Sequence, residues 1–302
     1  MTKKMTTAKA QNFNWINLDS DTFGEDSKVY QEYGIDEEVL NYALDKNERA
    51  RVEYDDQLQM FILIYNVPKL KKIYNHYETV PLTFLVRGQN LITISNQENG
   101  YLVETIKNLL MKHPDLSLYK FLFTILFIIS DLYFPMVEEM NADRQLISNR
   151  LKEKTSKNNL LALSDLETGI VYLISAAKQN TVLLEQIKTN PIYHSINAIE
   201  REQLEDTLIE AKQLVEMTEL ASEILHGISG TYNNILNNNL NDTMKILTVL
   251  SLLLTIPTIV TGFFGMNVPL PFEHDLSGWW FIIIISVVGW FGFSFILRQI
   301  LK

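Results

Sequence analysis

The hydrophobic pattern is strongest at the C-terminal end of the chain. Ile246 to Phe264 and Trp279 to Leu297 are two apolar stretches of 19 residues, neither holding a charged side chain. A helix rises about 1.5 Å per residue, so each stretch reaches about 28 Å, close to the ~30 Å hydrocarbon core of a bilayer. The pattern predicts a hairpin of two transmembrane helices. A third apolar run, Phe121 to Ser130, is ten residues long and bounded by Lys120 and Asp131, which predicts a buried core helix instead. Upstream of the hairpin, Leu163, Leu166, Ile170, Leu173 and Ala177 recur at spacings of three and four, as do Leu214, Met217, Ala221, Ile224 and Ile228. With turns at Ser156–Asn159 and Thr189–Pro191, this predicts long helices over 120–154, 160–188 and 193–265. The last would run about 100 Å from cytoplasm into membrane, long enough to carry movement between them.

The first third of the chain reads differently. Trp15–Asp19, Arg51–Tyr54, Met60–Val67, Thr79–Val86 and Leu91–Ser95 are rich in strand formers, with helical stretches near 35–45 and 101–112 between them. The expected organisation is a cytoplasmic α+β domain over 1–119 and a long-helix region and stalk over 120–245. A first transmembrane helix at 246–265, an outer loop at 266–278, a second transmembrane helix at 279–297 and a short tail at 298–302 follow.

The first apolar stretch carries more pattern than lipid requires. Asn241, Met244, Thr248, Ser251, Thr255, Thr258 and Gly262 alternate at spacings of three and four, which puts polar and small residues on one helix face. Such a face lines a pore or packs against another helix, where small residues also collect. Two helices cannot enclose a water-filled path, so a pore would require a cyclic homo-oligomer. Directly after the span stands the tripeptide Gly265-Met266-Asn267. A short polar motif at the mouth of a membrane helix suits a pore for a hydrated ion. Pro257 removes one backbone hydrogen bond within the span, and Pro269 and Pro271 prevent helix continuation after it.

Charge sets the orientation. Lys245 precedes the first span and Arg298 and Lys302 follow the second, while the intervening loop holds Glu273 and Asp275 and no Lys or Arg. The positive-inside rule then places both termini in the cytoplasm and the loop outside, with Trp279 and Trp280 at the outer interface. Met1 to Ala10 has no apolar core, so no signal peptide is expected. The net charge of −10 argues against a nucleic-acid binder. With no cysteine in the chain, a bound metal would be held by oxygen or imidazole, which favours hard cations such as magnesium. No phosphate loop, nucleophile elbow or paired-histidine metal motif is present, so an enzyme is not expected. His76, His113, His194 and His226 read as surface or capping residues.

With this topology and Gly265-Met266-Asn267 behind the first span, the chain resembles the CorA family of magnesium channels over nearly its whole length. The run Asn241 to Thr248 is also similar to the family's inner pore entrance. The resemblance implies a homopentameric funnel in the cell membrane, in contact with lipid, with the first span around the axis. Gly265, Met266 and Asn267 would form the selectivity filter, with Asn267 as a ring of amides at the outer mouth. Thr258, Thr255 and Ser251 would line the conduit, Met244 and Leu247 would gate it by dewetting, and Asn241 would ring the inner exit. Mg2+ would be both substrate and regulator, sensed at Asp206 on the stalk with Asp45 as partner, and Co2+ or Ni2+ would be further substrates.

The chain departs from the family pattern in four places, one of them Pro257, which stands one place away from the position of the first span's proline in some members. Phe264 stands where the family usually has Tyr. The loop carries Glu273 and Asp275 in place of the family's Met-Pro-Glu-Leu. The basic tail is reduced to Arg298 and Lys302. Two competing readings are a zinc transporter of the same superfamily, against which Met266 speaks, and a membrane-anchored oligomeric scaffold or sensor, which would need neither stripe nor motif.

Overall fold

The computed structural model describes residues 5–24, 28–73, 76–153, 156–266 and 277–300. The chain forms two compact units, Met1–Ser229 and Gly230–Lys302.

The N-terminal unit is built on a six-stranded sheet of order β1-β2-β6-β5-β4-β3. Its strands are β1 (Met5–Lys9), β2 (Asn14–Asp19), β3 (Arg51–Asp55), β4 (Met60–Pro68), β5 (Thr79–Arg87) and β6 (Asn90–Ser95). All neighbours are antiparallel except β2 and β6, which run parallel with Trp15 opposite Leu91. Every residue of β4 is buried, which explains its continuous apolar run: a strand covered on both faces has no reason to alternate.

One cover comes from short helices, α1 (Ser20–Phe23), α2 (Lys28–Glu32) and α3 (Glu37–Leu44). Tyr30, Ile35 and Val39 pack there on Ile16, Met60, Ile62, Leu85 and Ile92, one alternating face of the sheet. The opposite face is covered by α5 (Leu118–Asp131) and α7 (Lys157–Ile187), with α6 (Tyr133–Glu153) packed between them in sequence and against both. The Tyr65 and Ser130 hydroxyls meet at 2.9 Å across the β4–α5 contact. The run Phe121–Ser130 is indeed a core helix, with Phe121, Leu122, Phe123, Leu126 and Ile129 fully buried. α4 (Tyr101–Lys112) closes the strand region.

The helix expected over 120–154 is two helices, broken at Leu132. Pro135, in the first turn of α6, has no N–H to offer the Asp131 carbonyl, so the α5 ladder stops there. Likewise the helix expected from 193 is a short α8 (Ile192–Ser195) followed by α9 (Ala198–Phe264). A reciprocal capping box starts α9: the Glu200 N–H donates to Asn197 Oδ1 at 3.0 Å and the Asn197 N–H to Glu200 Oε2 at 2.8 Å.

Two polar ties fix α6 and α7 to the strands. Lys72 Nζ lies 2.8 Å from Glu139 and 2.7 Å from Asp143, and the Tyr77 hydroxyl also donates to Glu139. These partners, Lys72 first, hold the Glu139 carboxyl below its usual range, while burial and Glu139 push Tyr77 up to about 12. The second tie is Asn180 of α7. β3 pairs with β4 only as far as Ile64, so the outer edge of β4 beyond that point lacks a strand partner. Asn180 supplies one: its Oδ1 accepts from the Asn66 N–H at 2.9 Å and its Nδ2 donates to the Asn66 carbonyl at 2.8 Å.

His76 is not a surface residue. It is buried, its Nε2 is 3.5 Å from Glu78, and its ring stacks parallel to Tyr172 at 6.0 Å. The close approach of α7 is possible because residue 169 is glycine; a Cβ there would lie 3.1 Å from the His76 Cβ.

The C-terminal unit holds the end of α9 and α10 (Ser277–Ile300). Among the described residues four helical stretches are long and apolar enough to cross a membrane: Leu118–Glu153, Lys157–Ile187, Ala198–Phe264 and Gly278–Ile296. In the first two, 56% and 39% of the most apolar window is buried inside the protein; in the last two, none is. The first pair have their apolar residues in the core, and only the second pair need another apolar solvent.

Candidate functional site

The candidate site is the polar face of α9 within the C-terminal unit. The helix is continuous through Pro257, and two faces of it can be told apart by what they touch. Ile256 meets α10 at Gly289, where a Cβ would lie 3.1 Å from Ile256 Cγ2, and the Phe264 ring stands edge-on to Phe281 at 6.3 Å. A groove of about 550 Å3 on that side is lined by Pro257, Thr261, Ile282, Ser286 and Trp290. The sequence-predicted stripe lies elsewhere. Asn241, Met244, Leu247, Thr248, Ser251, Thr255, Thr258 and Gly262 are all exposed, Leu247 to 62%. The stripe is therefore not the contact between the two helices of the hairpin.

The hydroxyls on the stripe share one arrangement. Thr248 donates to the Met244 carbonyl at 2.8 Å, Ser251 to Leu247 at 2.8 Å, Thr255 to Ser251 at 2.9 Å and Thr258 to Leu254 at 2.8 Å. Each proton is thus directed into the helix backbone, and each oxygen keeps lone pairs facing outward. A row of hydroxyls that could present donors or acceptors becomes, here, a row of acceptors. Sequence periodicity showed the stripe but could not show this polarity.

At its C-terminal end, α9 stops at Phe264. The Gly265 N–H donates to the Thr261 carbonyl at 2.9 Å, and a Cβ at residue 265 would sit 3.1 Å from that same oxygen. Glycine here lets the backbone turn tightly over the last helical turn. Met266 is exposed. Asn267, Glu273 and Asp275, with Pro269 and Pro271, lie outside the described residues. At the N-terminal end of the stripe, Asp242 and Lys245 pair at 3.2 Å, and Met244 is 57% exposed. Trp279 and Trp280, at the start of α10, are among the most exposed side chains of the protein.

The two carboxylates expected to sense the ion sit in the N-terminal unit. Asp206 is exposed on α9. Asp45 is exposed at the C-terminal end of α3, its Oδ1 accepting from the Asn47 N–H at 2.8 Å. Neighbouring Glu205 is engaged with Lys188 at 2.6 Å, whereas Asp206, like Glu202 one turn earlier, is exposed. Among the described residues, no three or more His, Asp or Glu side chains gather where they could hold a metal ion. Of the other histidines, His113 caps α4 through its backbone, His194 ends α8, and His226 lies 3.8 Å from Glu167 of α7.

The sequence pattern described as "CorA-like Mg2+ transporter protein" matches residues 10–299. The cobalt/magnesium transport protein CorA of Methanocaldococcus jannaschii is 24% identical over 291 residues, covering 94% of this chain and 90% of that protein. The cobalt/magnesium transport protein CorA of Thermotoga maritima is 21% identical over 278 residues, covering 87% and 74%. The complete structure of the M. jannaschii CorA magnesium transporter superposes with a TM-score of 0.79 at 22% identity, covering 99% of this chain and 98% of that one.

Proposed function

We propose a transport function on one premise: the chain belongs to the CorA-like Mg2+ transporter family, whose pattern runs through nearly all of it. On this reading the protein is a channel for divalent cations, Mg2+ first and Co2+ or Ni2+ among further substrates. It conducts passively down the membrane potential, and no covalent step is involved. At 100 mV the potential supplies about 2.3 kcal/mol per elementary charge, hence about 4.6 kcal/mol for a divalent ion.

The observation that carries the proposal is the row of outward-facing lone pairs on α9. Mg2+ gives up its water reluctantly, and metal-bound water is a strong hydrogen-bond donor. A conduit of acceptors suits a hydrated cation and offers nothing to an anion. In a homopentamer around α9, Thr248, Ser251, Thr255 and Thr258 would form stacked rings of such acceptors. Asn267 would add neutral amide oxygens at the outer mouth, which accept from the water shell without trapping the ion as a ring of carboxylates would. Glu273 and Asp275 would raise the local cation concentration there. Met244 and Leu247, both exposed and apolar, would close the inner end by dewetting. Asp206 and Asp45, from neighbouring copies, would hold regulatory Mg2+; as it leaves, the freed carboxylates repel and the gate opens. Both termini would lie in the cytoplasm and the protein in the cell membrane.

The test is Mg2+ uptake into liposomes holding the purified chain, with an inside-negative potential imposed and Asn267→Ala alongside. Uptake by the natural chain and its loss in the variant are expected. Equal uptake by both would remove the outer-ring assignment. No uptake by either would leave the hairpin as an anchor.

A further inference from the structure

Four contacts between α7 and α9 form a ladder. Lys188, the C-terminal cap of α7, pairs with Glu205 at 2.6 Å, Glu185 with Lys212 at 2.7 Å and Lys178 with Glu219 at 2.7 Å, and Glu167 faces His226 at 3.8 Å. On α9 the four residues stand seven apart, at 205, 212, 219 and 226, the repeat of a helix edge that follows one neighbour. Their signs run minus, plus, minus, and the fourth position continues the alternation only when the imidazole is protonated. The first three rungs are closed. The fourth is open, because 3.8 Å is too long for a hydrogen bond. Glu167 Oε1, the oxygen that faces His226 Nδ1, is buried and has no hydrogen-bond partner among the described residues. A buried carboxylate oxygen without a donor is costly, and the imidazole opposite is placed to supply one.

An incidental surface pair is the competing explanation, since His226 is exposed and isolated exposed ion pairs contribute little. Its register with three closed rungs and the orphaned oxygen opposite it speak against that. The other charged groups nearby are already engaged or lie outside ion-pair reach of the imidazole. Glu219 is held by Lys178, and among the described residues neither Glu223 of α9 nor Asp165 of α7 pairs with His226. On α6, which packs on α7 where Met140 meets Gly169, Asp143 is held by Lys72 and Arg144 donates to Asn141. The place of the rung also matters. Gly227 and Gly230 follow His226, and a Cβ at either would meet nothing within 4 Å, so packing does not require glycine there. Glycine weakens a helix, and no Asp, Glu, Lys, Arg or His follows on α9 until Asp242. The ladder thus ends on a weakened segment, at the boundary between the two compact units.

We propose that His226 is a proton-binding site that closes the fourth rung and fastens α9 to α7 up to that boundary. The imidazole takes a proton from solvent and donates its Nδ1–H to Glu167 Oε1. The tie is present at low pH and is lost as pH rises through the histidine range. Movement carried along α9 toward the membrane must pass this segment, so fastening it slows ion uptake. That consequence rests on the transport reading above; the tie itself does not.

The test compares about pH 7.5 with about pH 5.5, which spans the histidine range and stays above that of ordinary carboxylates. Hydrogen exchange of the backbone over 222–232 is measured on the full-length protein in detergent, corrected for the intrinsic pH dependence of exchange. In the natural chain it is expected to slow about threefold at the lower pH, the scale of a partly exposed ion pair. His226→Lys, cationic at both pH values, is expected to be slow at both. His226→Gln and Glu167→Gln are expected to lose the pH effect. Mg2+ uptake into liposomes, buffered alike inside and outside, should follow the same order: slowed by acid in the natural chain, slow at both pH values in His226→Lys, and unchanged by acid in His226→Gln. If exchange in the natural chain and in His226→Gln responds to pH alike, the rung is overturned whatever the uptake shows. If exchange behaves as expected but acid slows uptake equally in the natural chain and in His226→Gln, the control of uptake is overturned. If exchange behaves as expected and the natural chain does not conduct at either pH, the rung stands and the transport reading falls.

Discussion

Asn180 offers the most demanding test of how the N-terminal unit is held together. Its amide stands in for a missing strand beside Asn66, and both residues are almost fully buried, at 2% and 6% exposure. In Asn180→Leu, a replacement of similar size, the Asn66 N–H loses its only acceptor on that side. Its carbonyl fares better, because the Tyr133 hydroxyl still donates to it at 2.9 Å. The cost is therefore one orphaned buried donor and one lost but replaceable bond, about 2–3 kcal/mol. Asn180→Ala should cost less, since the space it opens admits a water that restores the bond. The assay is urea unfolding of the full chain in detergent, followed by fluorescence of Trp15, the fully buried and sole tryptophan of this unit. At a slope of 2–3 kcal/mol per molar, the leucine variant should lower the midpoint by about 1 M. A midpoint within about 0.2 M of the natural chain, or an alanine variant weaker than the leucine one, would refute the idea that Asn180 completes the sheet edge.

Further outcomes follow from other contacts. Glu139, held below its ordinary pKa by Lys72 and Tyr77, contributes stability above the usual carboxylate range and loses it as pH falls through the lowered value. Glu139→Gln should therefore unfold at lower urea than the natural chain at pH 7, and the two midpoints should converge as pH falls below the usual carboxylate range and through the lowered value. Gly289→Leu forces a side chain into Ile256 and should destabilise the hairpin by about 1–3 kcal/mol, visible as earlier thermal loss of solubility in detergent, while Gly289→Ala should be nearly neutral because improved helix propensity offsets a few tenths of an ångström of crowding. On the sensing proposal, Asp206→Ala should abolish the protection that Mg2+ gives the N-terminal unit against protease; identical digestion with and without the substitution would exclude that role.

The strands, the buried fate of Phe121–Ser130 and the apolar hairpin were legible because each rests on a local pattern: alternation, run length or uncharged length. β1 escaped because Met5–Lys9 is a short edge strand with partly exposed residues and only one partner, so its sequence carries no buried face. The break at Leu132 was signalled by Pro135, and the start of α9 by Asn197 and Glu200 three apart; both signals are visible in retrospect and weaker than the surrounding helical periodicity. Asn180 could have been suspected as a polar residue three positions after Ala177 on the apolar face of α7. His76 could not, because its burial depends on Gly169 from a helix ninety residues away. For the candidate site, the spacing placed the stripe, but the direction of each hydroxyl proton depends on backbone geometry that only the folded helix supplies.

The order of elements along the chain also bears on how the protein reaches its membrane. The sheet and helices α1–α7 have been made by Ile187, and the first apolar stretch begins at Ile246, 59 residues later (246 − 187); the part of α9 that completes the unit, to Ser229, is made in between. At about 5–20 residues per second that interval lasts roughly 3–12 s, longer than a mixed α/β unit ordinarily takes to fold. The ribosome therefore delivers this apolar stretch behind a sheet that has had time to fold. A folded six-stranded sheet resists threading across a bilayer, which on the transport reading would keep the N-terminal unit on the side where it is synthesised. Timing would then favour the same topology as the few charges that flank the spans.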